Sequence, residues 1–188
     1  MSRKIARALA HFLWIELSYA QCKGIIVMFE GKFRTCEALK VRACDIIFSS
    51  ERVPQTTIRL GKTKNGREQA CVLKKGSLAE GMLRRLVRCS RNRMEPLFQL
   101  GSYAVLHKYV CKFKVARNLA IDITPHSLRA GGATQQKLEG DLIDVIQFDG
   151  RWESQATCKG YVDVVFAILP ETLAEEDKCQ DFPDSEFL

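Results

Sequence analysis

No two of the eight cysteines lie closer than eight residues apart, so the sequence holds no Cys-x-x-Cys pair and no cysteine–histidine knuckle. That spacing argues against a structural zinc site, which draws its ligands in short-range pairs. No secretory signal points to an oxidising compartment, so the cysteines read as reduced thiols, mostly small core residues. A bilayer span is also missing, because it needs ~20 mostly apolar residues. The most apolar stretch, residues 5–29, is broken by Arg7, His11, Glu16, Gln21 and Lys23. There is no internal repeat and no low-complexity linker. Histidine is scarce, three in 188 residues. His11 and His107 fall on apolar helical stretches that suit structural side chains, which leaves His126 as the histidine placed for chemistry.

Acidic residues are few as well, and unevenly spread. The net charge is +7, yet residues 171–188 hold seven acids against one base. The other 170 residues carry 28 bases and 15 acids. A domain so basic attracts polyanions, nucleic acid first, although a solubilising surface has the same composition. A hydrophobic content of 46% and a charged content of 27% are those of a soluble globular chain, and exclude a collagen, a disordered polymer and a membrane bundle. The length suits one domain able to bury its own core. We expect that domain over residues 1–170, ended by Pro170, and an acidic tail over 171–188 that is mobile or docked on a partner.

Periodicity predicts a mostly helical chain with one small sheet. Ile5, Leu9, Phe12, Leu13 and Leu17 recur at helical spacing over 3–20. The run Ile25–Phe29 fits a helix or a strand, and Thr35–Ala43 reads as a helix. Ile46–Phe48 suits a strand. Thr56–Leu60 and Gln69–Leu73 flank Lys62-Thr63-Lys64-Asn65-Gly66, a hairpin signal that puts basic residues at its tip. Ser77 and Ser102 are placed to cap helices. Further helices follow near His126, through Ile146, and around 153–160 and 161–169, with a turn at Asp149-Gly150.

The chemistry concentrates in Thr124-Pro125-His126-Ser127-Leu128-Arg129-Ala130-Gly131-Gly132-Ala133-Thr134. A His and an Arg three apart share a helix face and can meet one anion, the Arg as a fixed charge and the His as a proton carrier. The small residues after Arg129 make poor helix by propensity, so they suggest another backbone pressed close.

This string resembles the second catalytic box of the tyrosine recombinases, the phage-integrase family. Gly150-Arg151-Trp152 stands before Tyr161, with Trp152 nine residues ahead of it, where the family places a His or Trp before its nucleophile. Phe33-Arg34-Thr35-Cys36-Glu37-Ala38-Leu39 resembles the first box, and the Lys62–Gly66 hairpin resembles the family's lysine-bearing turn.

The resemblance implies an α+β, mostly α, catalytic domain with a small antiparallel sheet. It implies DNA strand breakage and rejoining through a 3′-phosphotyrosyl link, in recombination, integration or transposition, with no metal or cofactor. Such chemistry needs a nucleophile, for which Tyr161 has the phenol. It needs positive charge on the non-bridging oxygens, which Arg34 and Arg129 supply as a fork-shaped clamp. A proton donor for the leaving oxygen would be Lys64, or Lys62 two residues away, and either lysine can also hold a phosphate. His126 would shuttle the proton, and Trp152 would pack the site and offer its indole N–H.

Double-stranded DNA is the expected partner, with self-association on DNA through the C-terminal segment and no membrane. The expected location is intracellular: nucleus in a eukaryote, cytoplasm in a bacterium. Full-length family members carry a helical DNA-binding domain ahead of the catalytic one, and here it is expected to be absent. Two other readings stay open: a catalytically silent DNA-binding remnant of a mobile-element recombinase, and a helical interaction protein unrelated to the family.

Overall fold

A computed structural model describes residues 1–62, 68–167 and 169–179. Helices α1 (Arg3–Glu16) and α2 (Tyr19–Glu30) lead into a short α3 (Thr35–Ala38). A three-stranded antiparallel sheet follows, β1 (Ile46–Ile47), β2 (Gln55–Lys62) and β3 (Glu68–Lys74), in the order β1-β2-β3. The rest is helical: α4 (Leu78–Cys89), α5 (Tyr103–Ala116), α6 (Ser127–Leu138), α7 (Ile143–Gly150), α8 (Gln155–Ala167) and α9 (Leu169–Glu176). The mostly helical α+β architecture expected from the sequence is the one observed.

Helix α2 is the axis of the molecule. Every residue from Cys22 to Phe29 is buried, with α1, α4 and α6 packed around it. The run at 25–29 is apolar at every position and has no polar residue to set a period, which is why it fits either. Helix α1 contributes Ile5, Leu9 and Leu13, all fully buried, and starts at Ser2, whose Oγ accepts from Ile5 N. Ser77 and Ser102 cap as expected, accepting from Glu80 N and Val105 N. Strand β2 pairs with β3 in the register Ile58↔Cys71 and turns an alternate face, Thr56 and Ile58, into the core. Glu80 ties the sheet to α4: its carboxylate accepts from Ser49 Oγ, Thr56 Oγ1, Gly76 N and Arg84 Nη2. Burial raises its pKa, and these donors outweigh burial and bring it down to about 2.

Three expectations are corrected. The helix at Thr35 stops at Ala38, because Val41 O accepts from Leu97 N and Arg42 bridges to Pro96, which hold the chain extended. The segments around 153–160 and 161–169 are not two helices: α8 runs unbroken from Gln155 to Ala167. Pro170 does not end the folded part. It stands in the first turn of α9, where a missing N–H costs no intrahelical bond. Helix α9 therefore crosses the expected boundary at 170, and the described part of the acidic segment docks on its own chain. Glu175 Oε2 accepts from Ala120 N at 2.8 Å, Lys178 Nζ donates to Asn118 O at 2.9 Å, and Thr172 and Cys179 are buried. None of the described helices is long and apolar enough to cross a membrane.

Candidate active site

The site lies where α6 meets the corner between α2 and α3 on one side and the α7–α8 corner on the other. The small residues of α6 set that approach. A Cβ at Gly132 would stand 2.0 Å from Phe29 O, and one at Gly131 would stand 2.0 Å from Met1 O. Backbone contact of that kind is what the run Ala130–Ala133 suggested. It sinks Arg129, one turn into α6, to 2% exposure.

Arg129 is held from three sides. Its Nη1 donates to Lys32 O and its Nη2 to Gly150 O, both at 2.5 Å, and its guanidinium lies 4.4 Å from the centre of the Trp152 ring. Burial, then Arg151 and Arg34, pull its pKa down to about 10, so it stays charged near neutrality. Lysine at this position has neither the planar fork nor the stacking face. Arg129→Lys is therefore expected to lower thermal stability by about 2 kcal/mol, the cost of leaving the Gly150 carbonyl unmet and the Lys32 carbonyl with one donor fewer. A melting curve checks it.

His126 opens α6, and its Nε2 lies 2.9 Å from the Tyr161 hydroxyl on α8. The His126 and Tyr161 rings are 5.5 Å apart, and Trp152 lies 5.7 Å from Tyr161. Beneath them Ala133, Ile146, Trp152, Cys158 and Val162 form a small apolar cluster of their own, with Tyr161 packed on it. Burial, then Arg129 and Arg34, lower the His126 pKa, so the imidazole is neutral near pH 7 and can accept the phenolic proton.

Arg34 sits at the N-cap of α3. Its backbone N donates to Glu37 Oε2 at 2.8 Å, and its Nη1 donates to Glu37 Oε1 at 2.6 Å and Gln69 Oε1 at 3.3 Å. Burial raises the Glu37 pKa, and Arg151 and Arg34 outweigh burial to hold the group ionised. Arg34 is joined to Arg129 through Glu37, whose Oε2 accepts from Arg151 Nη2, and through the Lys32 carbonyl that Arg151 and Arg129 share.

Arg34, His126 with Arg129, Trp152 and Tyr161 thus come together from four separate stretches of chain. Lys62 ends β2, exposed and paired in register with Glu68. Lys64 lies outside the described residues. The sequence reading missed Gln69, whose signal is only that it lies on the strand returning from the hairpin. It also missed the cavity of about 780 Å³ that runs from His126 and Tyr161 past Ile123 and Ala130 to Thr172 on α9. Among the described residues no three His, Cys, Asp or Glu side chains cluster as metal ligands would.

No family model matches the sequence, and no curated protein matches it. Solved structures do. The XerH site-specific recombinase bound to palindromic difH substrate in a post-cleavage complex superposes with a TM-score of 0.66 at 18% identity, over 93% of this chain and 52% of that one. XerA recombinase gives 0.68 at 16% identity, over 93% and 62%. The Tn1549 transposon integrase in complex with circular intermediate DNA gives 0.64 at 12% identity, over 92% and 66%. The chain spans about half to two thirds of the length of these proteins.

Proposed function

We propose that this chain, which has the fold of the tyrosine recombinase catalytic domain, breaks and rejoins DNA strands with Tyr161 as nucleophile. The observation that carries the reading is the 2.9 Å contact between the Tyr161 hydroxyl and His126 Nε2, beside the Trp152 ring on which the Arg129 guanidinium lies. A phenol bonded to a neutral imidazole beside two guanidiniums suits attack on a phosphodiester, because the base takes the proton while the fork meets the charge gathering on phosphorus.

Each step balances without a further reactant. The Tyr161 oxygen bonds to phosphorus, its proton passes to His126, and the bond to the 5′ oxygen breaks. That oxygen leaves with a proton from the hairpin lysine, Lys64 or Lys62. The product is a 3′-phosphotyrosyl link and a free 5′ hydroxyl. Attack by a 5′ hydroxyl of the same or another strand reverses the sequence, so one phosphodiester is exchanged for another. Duplex DNA is the substrate class, in keeping with the basic balance of residues 1–170. The XerH and Tn1549 structures hold DNA.

The test is covalent capture on nicked duplexes drawn from a randomised pool, followed by mass mapping of the adduct. A denaturant-stable adduct on the peptide bearing Tyr161 is expected. No adduct, or one on another residue, overturns the reading. The pH dependence is a second check. His126 accepts a proton only when neutral, and its pKa is lowered, so the midpoint of the acid fall in cleavage should lie below pH 6.5. A single-turnover rate that already halves at or above pH 6.5 would contradict His126 as the acceptor.

A further inference from the structure

Arg151 follows α7 in the left-handed region, φ 59° and ψ 40°. Side-chain-bearing residues hold that conformation at a cost, and glycine does not. Lys32, across the corner, does the same with φ 51°. Such strain persists where the surroundings over-determine it, and at Arg151 they do so through its own side chain. That side chain is 6% exposed. Its Nη1 donates to Gly31 O and Asp149 O, each at 3.1 Å, and its Nη2 donates to Lys32 O at 3.0 Å and Glu37 Oε2 at 2.9 Å.

The last of these bonds bears on the site. Glu37 Oε1 faces the Arg34 guanidinium, while Oε2 takes the Arg34 backbone N–H and Arg151. Arg151 therefore fixes the carboxylate plane and divides its single negative charge between two cations. Around the clamp the guanidiniums of Arg34, Arg129 and Arg151 stand against the one carboxylate of Glu37, with Lys32 set 3.9 Å from Asp149 beside them. Without Arg151, Glu37 would belong to Arg34 alone and cancel much of the charge that Arg34 presents.

We propose that Arg151 is a positioning residue of the phosphate clamp, holding and sharing Glu37 so that Arg34 stays aimed and electropositive toward a phosphoryl group. This rests on the strand-breakage reading, and its test separates the two. The variants are Arg151→Gly, which suits the left-handed backbone, Arg151→Lys, which keeps the charge without the fork, Glu37→Gln, and Arg151→Gly combined with Glu37→Gln. On the captured DNA, single-turnover cleavage by Arg151→Gly should fall about 100-fold, with DNA affinity unchanged. Adding Glu37→Gln should restore about tenfold of that loss, since it removes the charge left cancelling Arg34.

A residue that only braces the fold gives the opposite sign: the second substitution deepens the loss in step with a lower melting temperature, which overturns the proposal. Should Arg151→Gly not fold, Arg151→Lys with and without Glu37→Gln carries the same comparison. Should the wild type form no adduct, the strand-breakage reading fails, and the clamp is read by calorimetry with orthovanadate as the probe. Weaker binding in Arg151→Gly, recovered in the double variant, supports the role. Equal affinities, or no binding by the wild type, overturn it.

Discussion

Tyr161→Phe is expected to leave no covalent adduct on DNA while the protein folds and binds as before. The substitution removes one oxygen. Among the described residues that oxygen meets His126 Nε2, and the ring keeps its places beside Trp152 and His126 and on the apolar cluster below. A half-buried hydroxyl with one partner contributes at most about 1 kcal/mol, so the melting temperature should barely move. Affinity for duplex DNA comes chiefly from basic groups, so the salt dependence of binding should be unchanged. Loss of adduct with intact binding and folding assigns the attacking atom. An adduct that survives the substitution would move the nucleophile elsewhere, with Tyr103 and Tyr109 on α5 the next phenols to test.

Gly132→Ala is expected to be the most damaging single methyl. It would stand 2.0 Å from Phe29 O and 3.0 Å from Phe29 C, both main-chain atoms of the fully buried α2. No rotamer relieves such a clash, so α6 must withdraw from α2, taking His126 and Arg129 with it. Overpacking a core against side chains costs about 1–3 kcal/mol. Against rigid backbone the cost should exceed about 3 kcal/mol, and the gain of about 1 kcal/mol from alanine's helix propensity does not offset it. Gly160→Ala is the control: it too lies within a helix, but a Cβ there meets nothing within 4 Å. Denaturant unfolding should show a large loss for Gly132→Ala and a neutral or slightly favourable change for Gly160→Ala. Equal midpoints would mean that α2 and α6 do not touch as described.

The elements that could be read from the sequence are those whose signal is local. Ser77 and Ser102 announce α4 and α5 because a capping oxygen acts within three residues. The β2–β3 pairing was marked by Asn65-Gly66, although that turn itself lies outside the described residues. The run at 25–29 within α2 was ambiguous because its five residues are all apolar and all buried, so no alternation sets a period. The fate of Pro170 was misread because a proline that breaks a helix interior is harmless in a first turn. At the site, Arg34, His126, Arg129, Trp152 and Tyr161 were singled out by the resemblance of their motifs to a family's boxes, and the structure brings His126, Trp152 and Tyr161 into ring contact with Arg129 over Trp152. Arg151 and Gln69 were not singled out. A buried arginine bonded to carbonyls looks, in sequence, like any surface base, and its partners lie as far as 120 residues away.

The Lys32 carbonyl accepts from both Arg129 and Arg151. One oxygen from the α2–α3 corner thus ties α6 to the residue that follows α7. Turning that single peptide plane would take one acceptor from each guanidinium at once, leaving Arg129 on Gly150 O and Arg151 on Gly31 O, Asp149 O and Glu37 Oε2. The settings of the two arginines are thus coupled through one residue of the α2–α3 corner, and a change in that corner's backbone is felt by both.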